Sequence, residues 1–363
     1  MAIRKLKVGI VGLGGVGTVH LEAYRGSPAV EVAAAAEIDA AKLDAAASRH
    51  GFKPYADFHR MLAGESLDLV VVATPVATHE EVTIAAARAG RHVLCEKPLA
   101  VEAAAAKRMI AACTQAGVTL FYGATYRQLP ALRRARDLIA EGAIGDVLLM
   151  REQEVGGTGP DGRQIMGFAH YPKGGPGGSG FGLVDHGIHL IDAFGWLAGS
   201  TVATVFGRGN ISGADPASEY LLMNFRNGAL GHLLYEDSTF PTALPGEGLF
   251  SWGAGWSIDG YLPPGAWQAT PGSIHVHGTK GALRIFHYAH ALFLTDKDGT
   301  RQIELEGRAA PGHFTAQVES CARSILDGAP VEVPGEAGLA ALEVLEAAYR
   351  SFEMKQVVTV DGG

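Results

Sequence analysis

The chain has 363 residues, 47% hydrophobic and 19% charged, a globular composition longer than one hydrophobic core usually organises. A net charge of −8 with no basic run argues against nucleic acid or an anionic membrane as the main partner. No apolar stretch is long enough to span a bilayer, and Gly9, Gly12 and Gly14 cut the apolar run that follows the first basic residues, which argues against a signal peptide. Three widely spaced cysteines, Cys95, Cys113 and Cys321, make neither a disulfide framework nor a CxxC metal site, so a reduced cytoplasm is expected.

From residue 6 to 123 short β-branched runs alternate with Ala-rich stretches. Strands are predicted over 6–11, 30–36, 67–74, 91–95 and 118–122, apolar on both faces as in a parallel sheet covered by helices. Helices are predicted over 15–25, 39–50, 78–89 and 101–116, ending in Gly26, Gly51, Gly90 and Gly117, where a left-handed residue belongs. The alternation implies an α/β fold with an open, doubly wound sheet. Beyond Tyr126 the texture changes. A helix is expected over 129–141 and a strand over 146–153, then a Gly-rich stretch, 156–182, long enough to be an active-site loop. Helical spacing returns over 184–197. Strand-like runs at 201–207, 219–225, 229–235, 273–277, 282–286, 291–295 and 302–306, with turns such as Asn227-Gly228 and Asp298-Gly299, suggest an antiparallel meander. Helices over 314–326 and 338–352 close the chain.

Gly12-Leu13-Gly14-Gly15-Val16-Gly17 fits GxGxxG. Alone the pattern is weak in a chain with 49 glycines, but here it follows a strand and opens a helix. In that setting glycines permit the tight turn and close approach to a pyrophosphate, and the helix N-terminus supplies free amides. Glu37, at the end of the second strand, suits the two ribose hydroxyls and repels a 2′-phosphate, which favours NAD over NADP. Asp39 reads better as a helix cap.

Glu96 and Lys97, in Cys95-Glu96-Lys97-Pro98, follow the predicted strand 91–95, where ligands of open sheets bind; a solvated surface lysine is the competing reading of Lys97. In Asp185-His186-Gly187-Ile188-His189-Leu190-Ile191-Asp192, Asp185 and His189 are one helical turn apart, a spacing that lets a carboxylate orient an imidazole for proton transfer. A capping Asp185 with a structural histidine fits the same spacing. His186, His189 and Asp192 are potential metal ligands, but no third ligand set is evident and no metal is expected. Thr74, Pro75 and His79 could line a nicotinamide pocket, or His79 could only pack near a helix start. Tyr126 and Arg127 fall at the domain junction, where clefts form. Trp252, Trp256 and Trp267 read as packing residues that could also face a sugar, and His275 and His277 as structural.

These motifs together resemble the glucose–fructose oxidoreductase and inositol dehydrogenase family, Gfo/Idh/MocA: GLGGVG at 12–17, ATPVATH at 73–79, AGRHVLCEKPLA at 89–100, DHGIHLID at 185–192 and GTKGAL at 278–283. A further matching stretch runs from 124 to 147, so the resemblance covers essentially the whole chain. It implies a Rossmann domain over 1–124 and, over 125–363, an α+β domain with an open, largely antiparallel sheet that binds substrate and forms a homo-dimer or homo-tetramer. In that scheme the C-terminal segment can return to the first domain. The resemblance also implies His189 as acid/base, Asp185 as its partner, and Lys97 as a donor to the reacting oxygen that also touches the cofactor. Tyr126 and Arg127 are expected beside the substrate. The expected activity is NAD-dependent oxidation of a hydroxyl on a sugar, sugar derivative or inositol. An NAD-dependent glycoside hydrolase using transient oxidation, and a non-catalytic sugar or dinucleotide sensor, are the alternatives. Ser179-Gly180-Phe181 interrupts the glycine run that often precedes the family's Asp, which bears on the identity of the substrate.

Overall fold

Six short strands, each followed by a helix or turn, build the first sheet. They are β1 (Leu6–Val11), β2 (Val30–Ala36), β3 (Lys53–Tyr55), β4 (Leu69–Val72), β5 (His92–Glu96) and β6 (Leu120–Gly123). The helices between them are α1 (Gly15–Arg25), α2 (Ala40–His50), α3 (Phe58–Gly64), α4 (His79–Arg88) and α5 (Ala103–Ala116). All pairings are parallel, in the order β3-β2-β1-β4-β5-β6. That order reverses direction between β1 and β4, the switch point of a doubly wound sheet. This computed structural model describes residues 4–155, 182–212, 215–236, 273–287, 290–307 and 311–360. The Gly-rich stretch 156–181, with Ser179, Gly180 and Phe181, and the tryptophans Trp252, Trp256 and Trp267 lie outside the described residues.

Local chemistry explains the boundaries. Asp39 accepts hydrogen bonds from the amides of Ala41 and Lys42 and so caps α2, and Asp57 does the same for α3 through Arg60. Gly51, Gly90 and Gly117 end their helices with positive φ, whereas Gly26 ends α1 at φ −85°, still right-handed, contrary to expectation. β4 is fully buried, as its unbroken Leu-Val-Val-Val run requires in a sheet covered on both faces.

The second sheet is mixed. After α6 (Pro130–Ala140) come β7 (Val147–Val155), a wide π-helical turn (Gly182–Gly187), α7 (Ile188–Ala198), β8 (Val202–Ser212), β9 (Asp215–Phe225) and β10 (Leu230–Glu236). Then follow β11 (Ile274–Gly278), β12 (Ala282–Phe286), β13 (Ala291–Asp296) and β14 (Gly299–Ile303). The chain ends with α8 (Gly312–Asp327), α9 (Gly335–Met354) and β15 (Val358–Thr359). The sheet order is β14-β13-β12-β11-β7-β10-β9-β8-β15. Every described pair is antiparallel except β7 with β10. The predicted single meander is therefore two meanders joined through β7, which sequence order alone places outside them. The last meander strand also begins earlier than expected, because Gly299 at φ +111° lets β14 start within the turn itself.

Two compact units emerge. One comprises residues 4–125 with Pro311–Leu339; the other holds the described residues of 126–307 and those from Ala340 to 360. In the first, α8 packs beside α1: Phe314 is fully buried, its ring edge-on to His20 at 4.9 Å, in one core with Leu6, Tyr24, Val318 and Cys321. Phe314→Ala should therefore destabilise the first unit by about 3–5 kcal/mol, the cost of emptying a buried aromatic site. Denaturant unfolding of the full chain checks this, and a midpoint within error of the parent would show α8 to be dispensable there.

Candidate functional site

The phosphate-loop geometry begins at the end of β1. Gly12 has φ +92°, and a Cβ there would lie 2.6 Å from the Ala73 carbonyl oxygen; a Cβ at Gly17 would lie 2.1 Å from the Gly12 carbonyl oxygen. Neither clash involves a movable side chain, so both positions demand glycine. Gly14 and Gly15, by contrast, face open space, with nothing within 4 Å of where a Cβ would lie. Gly14 is the N-cap of α1 and no side chain caps that helix, so its first amides point outward together with the positive end of its dipole. Val16 leans into the core beneath. The Leu13 amide donates to Glu37 at 2.7 Å and the Asp39 amide donates to the other oxygen at 3.0 Å. A carboxylate offers about four acceptor sites, so two such bonds leave capacity for ribose hydroxyls. Open space over the first turn, uncapped amides and a carboxylate beside them suit a dinucleotide.

Lys97 follows β5, half-buried, joined to Pro98 by a cis peptide bond. Two neighbours hold this corner. Glu96, buried, accepts from the Lys97 amide at 3.1 Å and lies 2.6 Å from Nε2 of His20, whose Nδ1 is 2.8 Å from the Tyr24 hydroxyl. With Nε2–H donated to the carboxylate, Nδ1 is left to accept from Tyr24. Buried His79 places Nδ1 3.0 Å from the Pro98 carbonyl and Nε2 2.9 Å from that of Thr74. Burial pushes His79 below the usual histidine range, against the pull of those carbonyls. His79 and Glu96 use their polar atoms to brace the loops that carry Thr74 and Lys97. Thr74 accepts a side-chain bond from Thr78 at 2.8 Å, and Pro75 beside it is exposed.

In the second unit Asp185 sits in the wide turn Gly182–Gly187 and His189 in the first turn of α7, so the predicted continuous α-helix is widened at its start. Close packing accounts for the shape: a Cβ on Gly182 would lie 2.4 Å from Cβ of Tyr235, and one on Gly187 3.0 Å from the same ring. Buried Glu219 secures the turn by accepting from the Leu183 amide at 2.8 Å. The His189 ring is buried and stacks on Tyr126, centroids 4.2 Å apart and planes 7° from parallel.

The Tyr126 hydroxyl lies 3.0 Å from Nδ1 of His186, and Nε2 of His186 lies 2.9 Å from Oε2 of Glu152. The Tyr235 hydroxyl donates to the same oxygen at 3.4 Å, and Nε2 of His287 is 3.9 Å from Oε1. Burial pushes Glu152 upward, but His186, His287 and Tyr235 outweigh it and hold the carboxyl below the usual range. Burial drives His287 down to about 4, leaving its imidazole neutral at pH 7. Sequence reasoning missed Glu152, Tyr235 and His287. Glu152 carried a signal: on a strand it shares the face of buried Met150, an inward position for a charge.

Arg127, expected at the substrate, places its fork on Asp192 at 2.8 and 2.6 Å. Asp192, considered as a metal ligand, is thereby committed to an ion pair, although burial still pushes its carboxyl up against Arg127. The pair ties the turn before α6 to the middle of α7.

Residues 6–124 match the oxidoreductase-family model for the NAD-binding Rossmann fold, and residues 136–360 that family's C-terminal alpha/beta domain. The chain is 25% identical to myo-inositol 2-dehydrogenase of Thermotoga maritima, over 98% of this chain and 99% of that one. It is 29% identical to rhizopine catabolism protein MocA of Rhizobium meliloti, over 95% and 94%. The solved structure of an aldose–aldose oxidoreductase from Caulobacter crescentus, complexed with glycerol, aligns with a TM-score of 0.79 at 25% identity, over 98% of this chain and 100% of that one. Both halves being matched, the chain belongs to the Gfo/Idh/MocA family of NAD(P)-dependent oxidoreductases.

Proposed function

We propose that this protein is an NAD-dependent dehydrogenase of a sugar, sugar derivative or inositol, with residues 1–124 binding the dinucleotide and 125–363 binding substrate. The names of the full-length relatives, an inositol dehydrogenase and an aldose oxidoreductase, support a polyol. The observation that carries the reading is His189: a buried imidazole held flat against Tyr126 in the DxGxH motif. Stacking fixes the ring plane and with it the direction in which the ring nitrogens point, which is what an acid/base requires.

In this reading Gly12, Leu13, Gly14, Gly15, Val16 and Gly17 wrap the pyrophosphate and Glu37 takes the adenosine ribose. Thr74, Pro75 and Lys97 stand at the nicotinamide end. The bound nicotinamide supplies the hydride acceptor. Lys97 donates a hydrogen bond to the reacting hydroxyl oxygen, lowering the cost of its negative charge as the proton leaves. His189 accepts that proton, and Asp185 stabilises the imidazolium that results. Exposed Leu148 and Leu230, on the adjacent strands β7 and β10, support the sheet as the surface joining copies into a dimer or tetramer. Among the described residues no helix is long and apolar enough to cross a membrane, and we place the protein in the cytoplasm.

Screening sugars and inositols with NAD and NADP, following absorbance of the reduced nicotinamide, identifies the substrate. On that substrate Lys97→Ala and His189→Ala should each lower turnover by at least about a hundredfold, with NAD binding retained in the His189 variant. Near-parental turnover in folded variants would remove both from the chemistry. Glu37→Ala should weaken NAD and narrow the discrimination against NADP, since it deletes both the ribose acceptor and the charge facing a 2′-phosphate. An unchanged cofactor ratio would show that Glu37 only buttresses Leu13 and Asp39.

A further inference from the structure

We propose that Glu152, His186 and His287 form a buried binding site for a divalent transition-metal ion, zinc by the character of the donors. One ligand atom from each of the three lies within 4.8 Å of the others, and all three side chains are excluded from solvent. They come from three separate elements: β7, the wide turn, and the residue that follows β12.

Hydrogen bonding alone accounts for part of this cluster. Tyr126 can donate to Nδ1 of His186 while Nε2–H donates to Oε2 of Glu152. It does not account for Oε1 of Glu152, which is buried with no hydrogen-bond partner among the described residues and faces Nε2 of His287 across 3.9 Å. That gap is too long for a hydrogen bond. It suits two donors on one cation, since metal bonds of about 2.0–2.2 Å set neighbouring ligands about 3–4 Å apart. Burying a carboxylate oxygen unpaired is costly, and a cation between it and the two imidazoles removes that cost.

The surroundings have the form of an outer ligand shell. When Nδ1–H of His186 is donated to Tyr126, the Nε2 lone pair faces the carboxylate, an arrangement that needs a cation between them. Tyr235 donates to the same carboxylate oxygen, Oε2, that faces His186. Two imidazoles and one carboxylate favour Zn²⁺ or Co²⁺ over Mg²⁺ and Ca²⁺, which prefer oxygen ligands throughout. Three protein ligands leave a further position for water or a substrate oxygen. The site does not depend on the hydride-transfer reading.

The test uses the full chain, purified without metal-affinity chromatography, stripped with EDTA and titrated with Co²⁺ while visible absorption is followed. Saturable, stoichiometric uptake is expected, with the strong d–d bands of low-coordinate Co²⁺, which Zn²⁺ then bleaches; Zn²⁺ should also raise Tm. Glu152→Gln and His287→Asn should each abolish the bands and the Tm rise. His277→Asn, in the stacked His275–His277 pair on β11, should retain them. Absence of bands and of any Tm change in the parent protein overturns the proposal whether or not the variants fold. Bands that survive Glu152→Gln, or vanish with His277→Asn, overturn it as well by placing the metal elsewhere.

Discussion

The space between the ends of β1 and β4 sets the terms for the first unit, and Gly12 fills it. Its amide donates to the Ala36 carbonyl of β2 at 2.8 Å, its absent Cβ makes room for Ala73 after β4, and its carbonyl lies against Gly17 of α1. Four elements thus meet at one residue without a side chain. Because Gly17 can approach so closely, α1 starts almost at once after the strand, and its first amides face outward instead of being covered. The Leu13 amide turns the other way and meets Glu37. Loop, helix end and carboxylate are consequences of one steric constraint, so a substitution at Gly12 or Gly17 disturbs all three together.

Buried carboxylates play the corresponding part in the second unit. Asp192 is answered by Arg127, Glu219 by the Leu183 amide and the Tyr349 hydroxyl, and Glu152 by His186 and Tyr235. All three act on the segment running from the wide turn into α7. Removing one partner of a buried charge costs about 3–5 kcal/mol, so each of these contacts is a stiff restraint. The segment that carries Asp185 and His189 is pinned at its start, along its turn and in its middle. The motif residues are thereby held by groups that lie far from them in sequence.

That distribution explains what the sequence made legible. The limits of α1 and β2 could be read to the residue because glycines and a β-branched run mark them locally. β3 and α3 escaped notice because Pro54 lies within a three-residue strand, a placement tolerated only at a sheet edge, where β3 is found. The insertion of β7 between two meanders leaves no local trace, since pairing partners are chosen by tertiary contacts. The candidate positions Gly12–Gly17, Glu37, Lys97, Asp185 and His189 stood out as motifs. Glu152, Tyr235 and His287 did not, because their meaning comes only from convergence in space.

The two histidines of the DHGIH motif show how the fold separates residues of similar sequence context. Three positions apart, they would share a face on a regular α-helix, but the wide turn ends between them, at Gly187. Tyr126 meets both, and differently: its hydroxyl is at Nδ1 of His186, while its ring lies over His189. The first contact uses a nitrogen and links His186 into the polar cluster of Glu152. The second meets His189 at its π face, and an imidazole's lone pair and N–H lie in the ring plane, perpendicular to that contact's direction. One buried tyrosine therefore links one histidine into a polar network through its hydroxyl and sets the ring plane of the other. The different settings of the two rings follow from which part of Tyr126 each one touches.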